Sequence, residues 1–456
     1  MSVSCDLEFG REHLKLRLPE GADLLAMSGG EPLADPAGAV RAGLVQPIGS
    51  APLAQLVREK RALKPELVAA VVISDNTRPV PYRGEAGILA PVLDTLRAEG
   101  VARIEILVAT GTHRPLSGDE LRAMLPAAAF ADGVEVINHV CTDRDSLVRL
   151  GATPRGTEVW INRRYVEADV KVLTGLVEPH FCAGASGGPK SICPGMVGED
   201  VTRVFHGAEI LADPRSTSMV LDGNPCQQEA RAVAAMAGSD FIVNVTLDGE
   251  KRITGVYCGE VSAAHAAAVG HLADTATVSI SAEYDLVLTH AGFAGINHYQ
   301  AAKAAVEGVK ALRHGGTMIL AANHTDVDPV GGPDYRRVLR LLRELGAERF
   351  EERLLSPGWE FVHEQWEPQL WARALAKLGS AERLVYCSPQ LTGTAFADAH
   401  VPARHGGEGL DADLAPREFA EKAVQRAIDT FAAANPGARA VVLLDGPYAV
   451  PVPKRD

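Results

Sequence analysis

Short, near-continuous runs of aliphatic residues alternate along this chain with longer stretches in which apolar positions recur at helical spacing. Residues 67–74 read Leu-Val-Ala-Ala-Val-Val-Ile-Ser, with nothing polar before the last position. A run of that length without alternation predicts a strand covered on both faces. Arg103–Ala109, Val134–Asn138 and Asp169–Leu173 are further short strand-like runs, and a helical stretch over 84–99 separates the first two strands. A second series begins near residue 275, with strands at Asp285–Thr289, Thr317–Ala321, Leu384–Tyr386 and Ala440–Leu444 and a helix from Tyr299 to Arg313. Strands interleaved with helices predict an α/β fold of two α/β domains with mainly parallel sheets. The boundary is placed where an alanine-rich helix, His265–Thr275, leads into the second series, which gives domains 1–272 and 273–456. The segment from Pro447, carrying Pro451 and Pro453, reads as an extended terminus.

In open parallel sheets ligands bind beyond the carboxyl ends of the strands, and the polar clusters of this chain fall there. Asp75-Asn76-Thr77-Arg78-Pro79 follows the first strand, Thr110-Gly111-Thr112-His113-Arg114-Pro115 the second, and Pro179-His180 the strand that ends near Thr174. His290-Ala291-Gly292 holds the equivalent place in the second series. The most informative stretch runs from Glu178 to Lys190, with His206 a helix-length further on. Small residues at Gly184, Ser186, Gly187 and Gly188 let backbone N–H groups approach an anionic ligand. A lysine at the end of such a loop can hold phosphate or become attached to a carbonyl-type group. A histidine returning to the same place suits a metal ligand or proton carrier. A nucleotide-triphosphate loop is the nearest competitor, but Pro189 stands where that motif needs glycine and removes a backbone donor. Asp285 also opens its strand rather than closing it, so it does not fit the acid that class of enzyme needs after a strand. The plain alternative is an ordinary glycine-rich loop with a solvated lysine.

Bulk properties narrow the field. The 456 residues suffice for two or three domains. A net charge of −13 argues against a nucleic-acid-binding surface, yet allows a small anion held in a local basic pocket. The amino terminus shows no signal-peptide pattern, and no apolar run reaches membrane-spanning length. The 7 cysteines form no Cys-x-x-Cys pair, which disfavours zinc ribbons, iron–sulfur clusters and disulfide frameworks and makes a reducing cytoplasm the simplest home.

Taken in order, several of these marks resemble the lactate racemase family over most of the chain. They are Leu44-Val45-Gln46-Pro47-Ile48-Gly49-Ser50, Ser74-Asp75-Asn76-Thr77-Arg78-Pro79-Val80-Pro81, Ala109-Thr110-Gly111-Thr112-His113-Arg114, and His180 followed by Ser186-Gly187-Gly188-Pro189-Lys190 and Pro194-Gly195. His206, Tyr299-Gln300-Ala301-Ala302-Lys303 and Gln365-Trp366 complete the set. The resemblance implies a nickel-pincer nucleotide, a pyridinium mononucleotide with two sulfur-bearing arms, covalently bound to Lys190 as a thioamide and with His206 as protein ligand to the nickel. It implies hydride removal from C2 of a 2-hydroxy acid to give a 2-keto acid, with His113 and His180 as the two bases. Arg78 and Lys303 match the carboxylate anchors, and Gln300, Tyr299 and Trp366 line the substrate pocket. Asp75 orients Arg78 or touches the nucleotide, and Thr110, Gly111, Ser186, Gly187 and Gly188 lie along it. The active site is then an interdomain cleft whose closure excludes water. The implied partners are a small anionic substrate, cofactor-maturation enzymes and, in assembly, a second copy of the chain as a homo-oligomer. Two loops depart from the family pattern, 291–298 and 321–326, which points away from lactate toward a bulkier or more polar acid. A relative that binds a nucleotide or keto acid without nickel and without catalysis is the alternative.

Overall fold

The computed structural model describes residues 3–293 and 295–454, and the chain divides into two compact units. One spans Gly29–Thr275; the other combines the residues up to Ser28 with those from Ala276 onward.

In the Gly29–Thr275 unit a six-stranded sheet runs in the order Ile253–Gly259, Phe241–Leu247, Val170–Leu176, Val68–Ser74, Arg103–Ala109, Val134–Asn138. Every neighbouring pair is parallel except the first, which is an antiparallel hairpin. Two of these strands coincide with the predicted spans to the residue; the outer pair at 241–259 was not anticipated. Val71, Ile73, Ile106, Val108, Val172 and Val243 pack from the sheet against Leu89, Val92, Leu93 and Leu96 of the helix Leu89–Ala98. Burying each such side chain contributes roughly 1.5–3 kcal/mol. The consequence for function lies in the strand order. Val68–Ser74 and Val170–Leu176 are neighbours although a long segment separates them, and from this pair the chain proceeds outward in opposite directions. A crevice at the carboxyl ends of such a pair is where this sheet type binds ligands.

The other unit has an all-parallel sheet ordered Arg404–His405, Leu384–Cys387, Leu312–Ala321, Tyr284–His290, Ala440–Leu443, Asp23–Leu25. Asp23–Leu25 is its edge strand, and the hairpin Val3–Phe9/Glu12–Leu18 packs Leu7, Leu14 and Leu16 into one core with Phe419, Ala420, Ala423 and Val424 of the helix Pro416–Ala434. Residues 3–28 therefore fold with the later part of the chain, whereas a division at 272/273 placed them in the first domain. Their partners lie some 400 positions away, beyond the range of any local pattern. The expected terminal extension is instead a short strand, Val450–Pro453, paired in parallel with Thr277–Ile280. The helix expected to reach Arg313 stops at Gly308, and the following strand starts at Leu312. Among the described residues no helix is long and apolar enough to cross a membrane.

Candidate active site

The strand Val68–Ser74 delivers Asp75 as its first residue beyond the sheet, with 3% of its surface exposed. A carboxylate so buried needs partners. Oδ1 accepts hydrogen bonds from the Thr77 amide (3.1 Å) and hydroxyl (2.6 Å), and Oδ2 lies 2.6 Å from Nδ1 of His113. Burial alone would raise the Asp75 pKa, but the hydrogen bonds and charge of His113, Thr77 and Arg78 outweigh it and hold the carboxyl below its ordinary value. An ionised Asp75 must receive the Nδ1 proton of His113. The neutral His113 ring then carries its lone pair on Nε2, and its side chain remains half exposed. Asp75 therefore orients His113, and the side-chain partner of Arg78 is Glu178, whose Oε1 lies 3.1 Å from Nε. After the next strand, the Thr110 hydroxyl donates to the His139 carbonyl (2.6 Å) and the Gly111 amide to the Gly195 carbonyl (3.1 Å). Both tie this strand end into the fold.

His180 opens a tight loop in which Pro179–His180 pairs antiparallel with Gly184–Ala185. Its Nδ1 accepts from the backbone amides of Cys182 (3.3 Å) and Ala183 (3.2 Å), which leaves the proton of the neutral ring on Nε2. The two histidines are thus held in opposite tautomers. The Ser186 hydroxyl donates to the Leu176 carbonyl (2.9 Å) and accepts from the Glu178 amide (3.0 Å), while the Gly188 amide donates to Asn244 Oδ1 (2.9 Å). Gly187 and Gly188 both adopt positive φ, and a Cβ on either would lie 2.7 Å from Val177 or His265. Their smallness is required by packing inside the fold as well as by the turn.

Lys190 ends this loop with its ammonium 5.5 Å from the centroid of Phe205, the residue before His206. Burial, reinforced by the charge of Arg78, lowers the Lys190 pKa, against the opposing pull of Cys182, Cys226 and Cys193. Burial likewise drives the His206 pKa well below its ordinary value, with Lys190 and His113 adding to the fall. The result is an amine closer to its nucleophilic form and a neutral imidazole suited to metal binding. All seven cysteines are free thiols, and Cys182 and Cys226 bring their sulfurs to 3.6 Å. Among the described residues no three His, Cys, Asp or Glu side chains converge as a metal site.

The second group of expected residues is assembled within the other unit. Asn297 caps the helix His298–Gly308, and Lys303 Nζ donates to Gln300 Oε1 at 2.6 Å. Trp366 Nε1 donates to the Tyr299 hydroxyl at 2.8 Å. The two departing loops are bonded to each other. Asn297 Nδ2 donates to Asp326 Oδ2 (3.0 Å), the Asp326 amide to the Ile296 carbonyl (3.0 Å), and His324 Nδ1 to the Gly295 carbonyl (2.9 Å). Ala294, in the first of these loops, lies outside the described residues.

Glu367, next to Trp366, is buried. Burial pushes its carboxyl up to about 8, Lys303 opposing and Glu364 adding to the rise. Since the folded value is raised, this group's contribution to stability is complete below about 4.5 and is lost as pH rises through about 8. Glu367→Gln should therefore show a smaller fall in Tm across that interval than the parent chain. Parallel Tm–pH curves would refute the assignment.

The sequence did not single out Glu178, Asn244, His265 or the thiols of Cys182 and Cys226. Glu178 was visible in the Glu-Pro-His run but had no assigned partner. The others act through contacts to residues far away in the chain.

A family model described as the lactate racemase N-terminal domain matches residues 9–219. Lactate racemase of Lactiplantibacillus plantarum is 32% identical over 341 residues, covering 74% of this chain and 77% of that protein. Lactate racemase of Thermoanaerobacterium thermosaccharolyticum is 32% identical over 340 residues, covering 74% and 76% respectively. The solved lactate racemase apoprotein from Thermoanaerobacterium thermosaccharolyticum superimposes with a TM-score of 0.81 at 27% identity, over 99% of this chain and 100% of that one. A Thermotoga maritima protein of 17% identity shares the fold, with a TM-score of 0.66 over 93% of this chain and 100% of that one. With an Asp75–His113 pair, a second imidazole, an arginine and a perturbed lysine gathered at the strand ends of one sheet, and with these relatives, the chain belongs to the lactate racemase family.

Proposed function

We propose that this chain is a racemase or epimerase that inverts a 2-hydroxy acid at C2 with a nickel-pincer nucleotide attached through Lys190. The observation that carries the reading is that Asp75–His113, Arg78, His180, Lys190 and His206 lie in a single unit, with His113, Arg78 and His180 held by polar partners and the pKa values of Lys190 and His206 lowered by burial. The residues fit the cofactor: the depressed Lys190 amine can form an amide-type bond to one arm, and the neutral His206 can ligate nickel, a metal that accepts imidazole alongside soft sulfur donors. When bound, the cofactor supplies reversible hydride acceptance.

The chain's own residues do the rest. Arg78 binds the substrate carboxylate with the fork of its guanidinium. His113 is ready as a base, because Asp75 holds its Nδ1 proton and leaves Nε2 to take the proton of the C2 hydroxyl. His180 presents Nε2–H, which can donate a hydrogen bond to the oxygen of the planar 2-keto acid. Removal of the C2 hydrogen and of the hydroxyl proton leaves C2 planar; return of hydrogen to the other face of C2, with a proton returned to the oxygen, gives the opposite configuration.

The test is a panel of single-stereoisomer 2-hydroxy acids and aldonates, incubated with cofactor-loaded enzyme and no nicotinamide, with chiral analysis of C2. Interconversion is expected, faster on larger or more polar acids than on lactate. Rapid turnover of lactate alone would overturn the substrate-size reading. No interconversion of any member at full nickel loading would overturn the racemase reading.

A further inference from the structure

We propose that Glu178 is a positioning residue that aims Arg78 at the substrate carboxylate, an inference that rests on the hydroxy-acid reading of this site. Arg78 lies just beyond Val68–Ser74 and Glu178 just beyond Val170–Leu176, the two neighbouring strands from which the chain proceeds in opposite directions. The ion pair between them spans the crevice where this sheet type binds ligands. Oε1 of Glu178 engages Nε of Arg78 at 3.1 Å, and the two side chains are only 24% and 21% exposed. Among the described residues Nη1 and Nη2 of Arg78 have no hydrogen-bond partner. The guanidinium is therefore held by one edge and presents the other, the planar pair of donors that matches a carboxylate.

Glu178 is itself fixed by the loop. Its amide donates to Ser186 Oγ (3.0 Å), and its carbonyl accepts from the Ser186 amide (2.9 Å). The same pairing shapes the turn that carries His180 and Lys190, so anchor, imidazole and lysine share one support. Glu178 also answers an electrostatic conflict, because the charges of Arg78 and Lys190 act against each other. Without the carboxylate, Arg78 keeps its charge but loses its orientation, since a freed arginine samples many rotamers. This role predicts a loss confined to recognition of the anion.

The experiment compares cofactor-loaded parent, Glu178→Gln and Arg78→Gln. Binding of pyruvate and of neutral pyruvamide is measured by calorimetry, with kcat and KM on the best acid found. Glu178→Gln is expected to weaken pyruvate roughly tenfold and to leave pyruvamide unchanged. KM should rise by a similar factor, with kcat within about twofold and Tm and adduct mass as in the parent. Equal weakening of both probes would indicate a merely structural role and overturn the proposal. So would unchanged pyruvate binding in Glu178→Gln alongside a clear loss in Arg78→Gln. If Arg78→Gln bound pyruvate as the parent does, the anchor reading itself would fall, and the positioning role with it.

Discussion

Lys190→Ala is expected to yield a chain that folds, carries no covalent adduct and produces no detectable inversion. The fold should survive because the loop is held by backbone and by other side chains: the Lys190 amide bonds the Gly187 carbonyl at 3.1 Å, Ser186 bonds Leu176 and Glu178, and Asn244 receives the Gly188 amide. What the alanine variant lacks is the amine, and with it the only group on this loop able to form an amide-type bond. Lys190→Arg is the stricter control, since it keeps the charge and much of the stem but offers a guanidinium that remains protonated. Intact mass and peptide mapping of protein produced with the maturation machinery provide the check. The added mass is expected on the peptide containing Lys190 and absent from both variants. An adduct on another residue, with Lys190 unmodified, would overturn the attachment site.

The histidines should separate by what they lose. His206→Ala is expected to lose bound nickel, because the ring that burial keeps neutral is the proposed protein ligand. His113→Ala should keep its nickel and slow turnover by ~10²–10⁴, the usual effect of removing a positioned base. Asp75 retains its two bonds from Thr77 in that variant, so the strand end should stay in place. Metal content measured beside rate decides the matter. A His113→Ala protein that lost nickel yet kept its turnover per bound metal would exchange the two roles.

The substrate panel and the Glu178 comparison bear on different links of the same argument. One asks which acid is inverted, the other how its carboxylate is gripped.

Periodicity and punctuation made much of the architecture legible. Arg103–Ala109 and Val134–Asn138 could be read to the residue because Val and Ile recur in both short runs, and such β-branched residues favour strands. The polar clusters beginning at Asp75, Thr110 and Pro179 were legible because they end such runs abruptly. Partnership was not legible. The sequence allows Asp75 to serve Arg78, three residues away, yet it binds His113, because the neighbouring strand brings residue 113 beside it. Arg78 turns instead to Glu178, a hundred positions on, through the pairing of Val68–Ser74 with Val170–Leu176. The hairpin Val3–Phe9/Glu12–Leu18 joins the helix Pro416–Ala434 for the same kind of reason: its apolar face had to be covered, and only the folded chain offered the cover. Local sequence sets which segments become strands and where their polar ends fall, because those choices depend on a few neighbouring residues. Which ends meet depends on sheet order, a property of contacts hundreds of residues apart that only the tertiary structure decides.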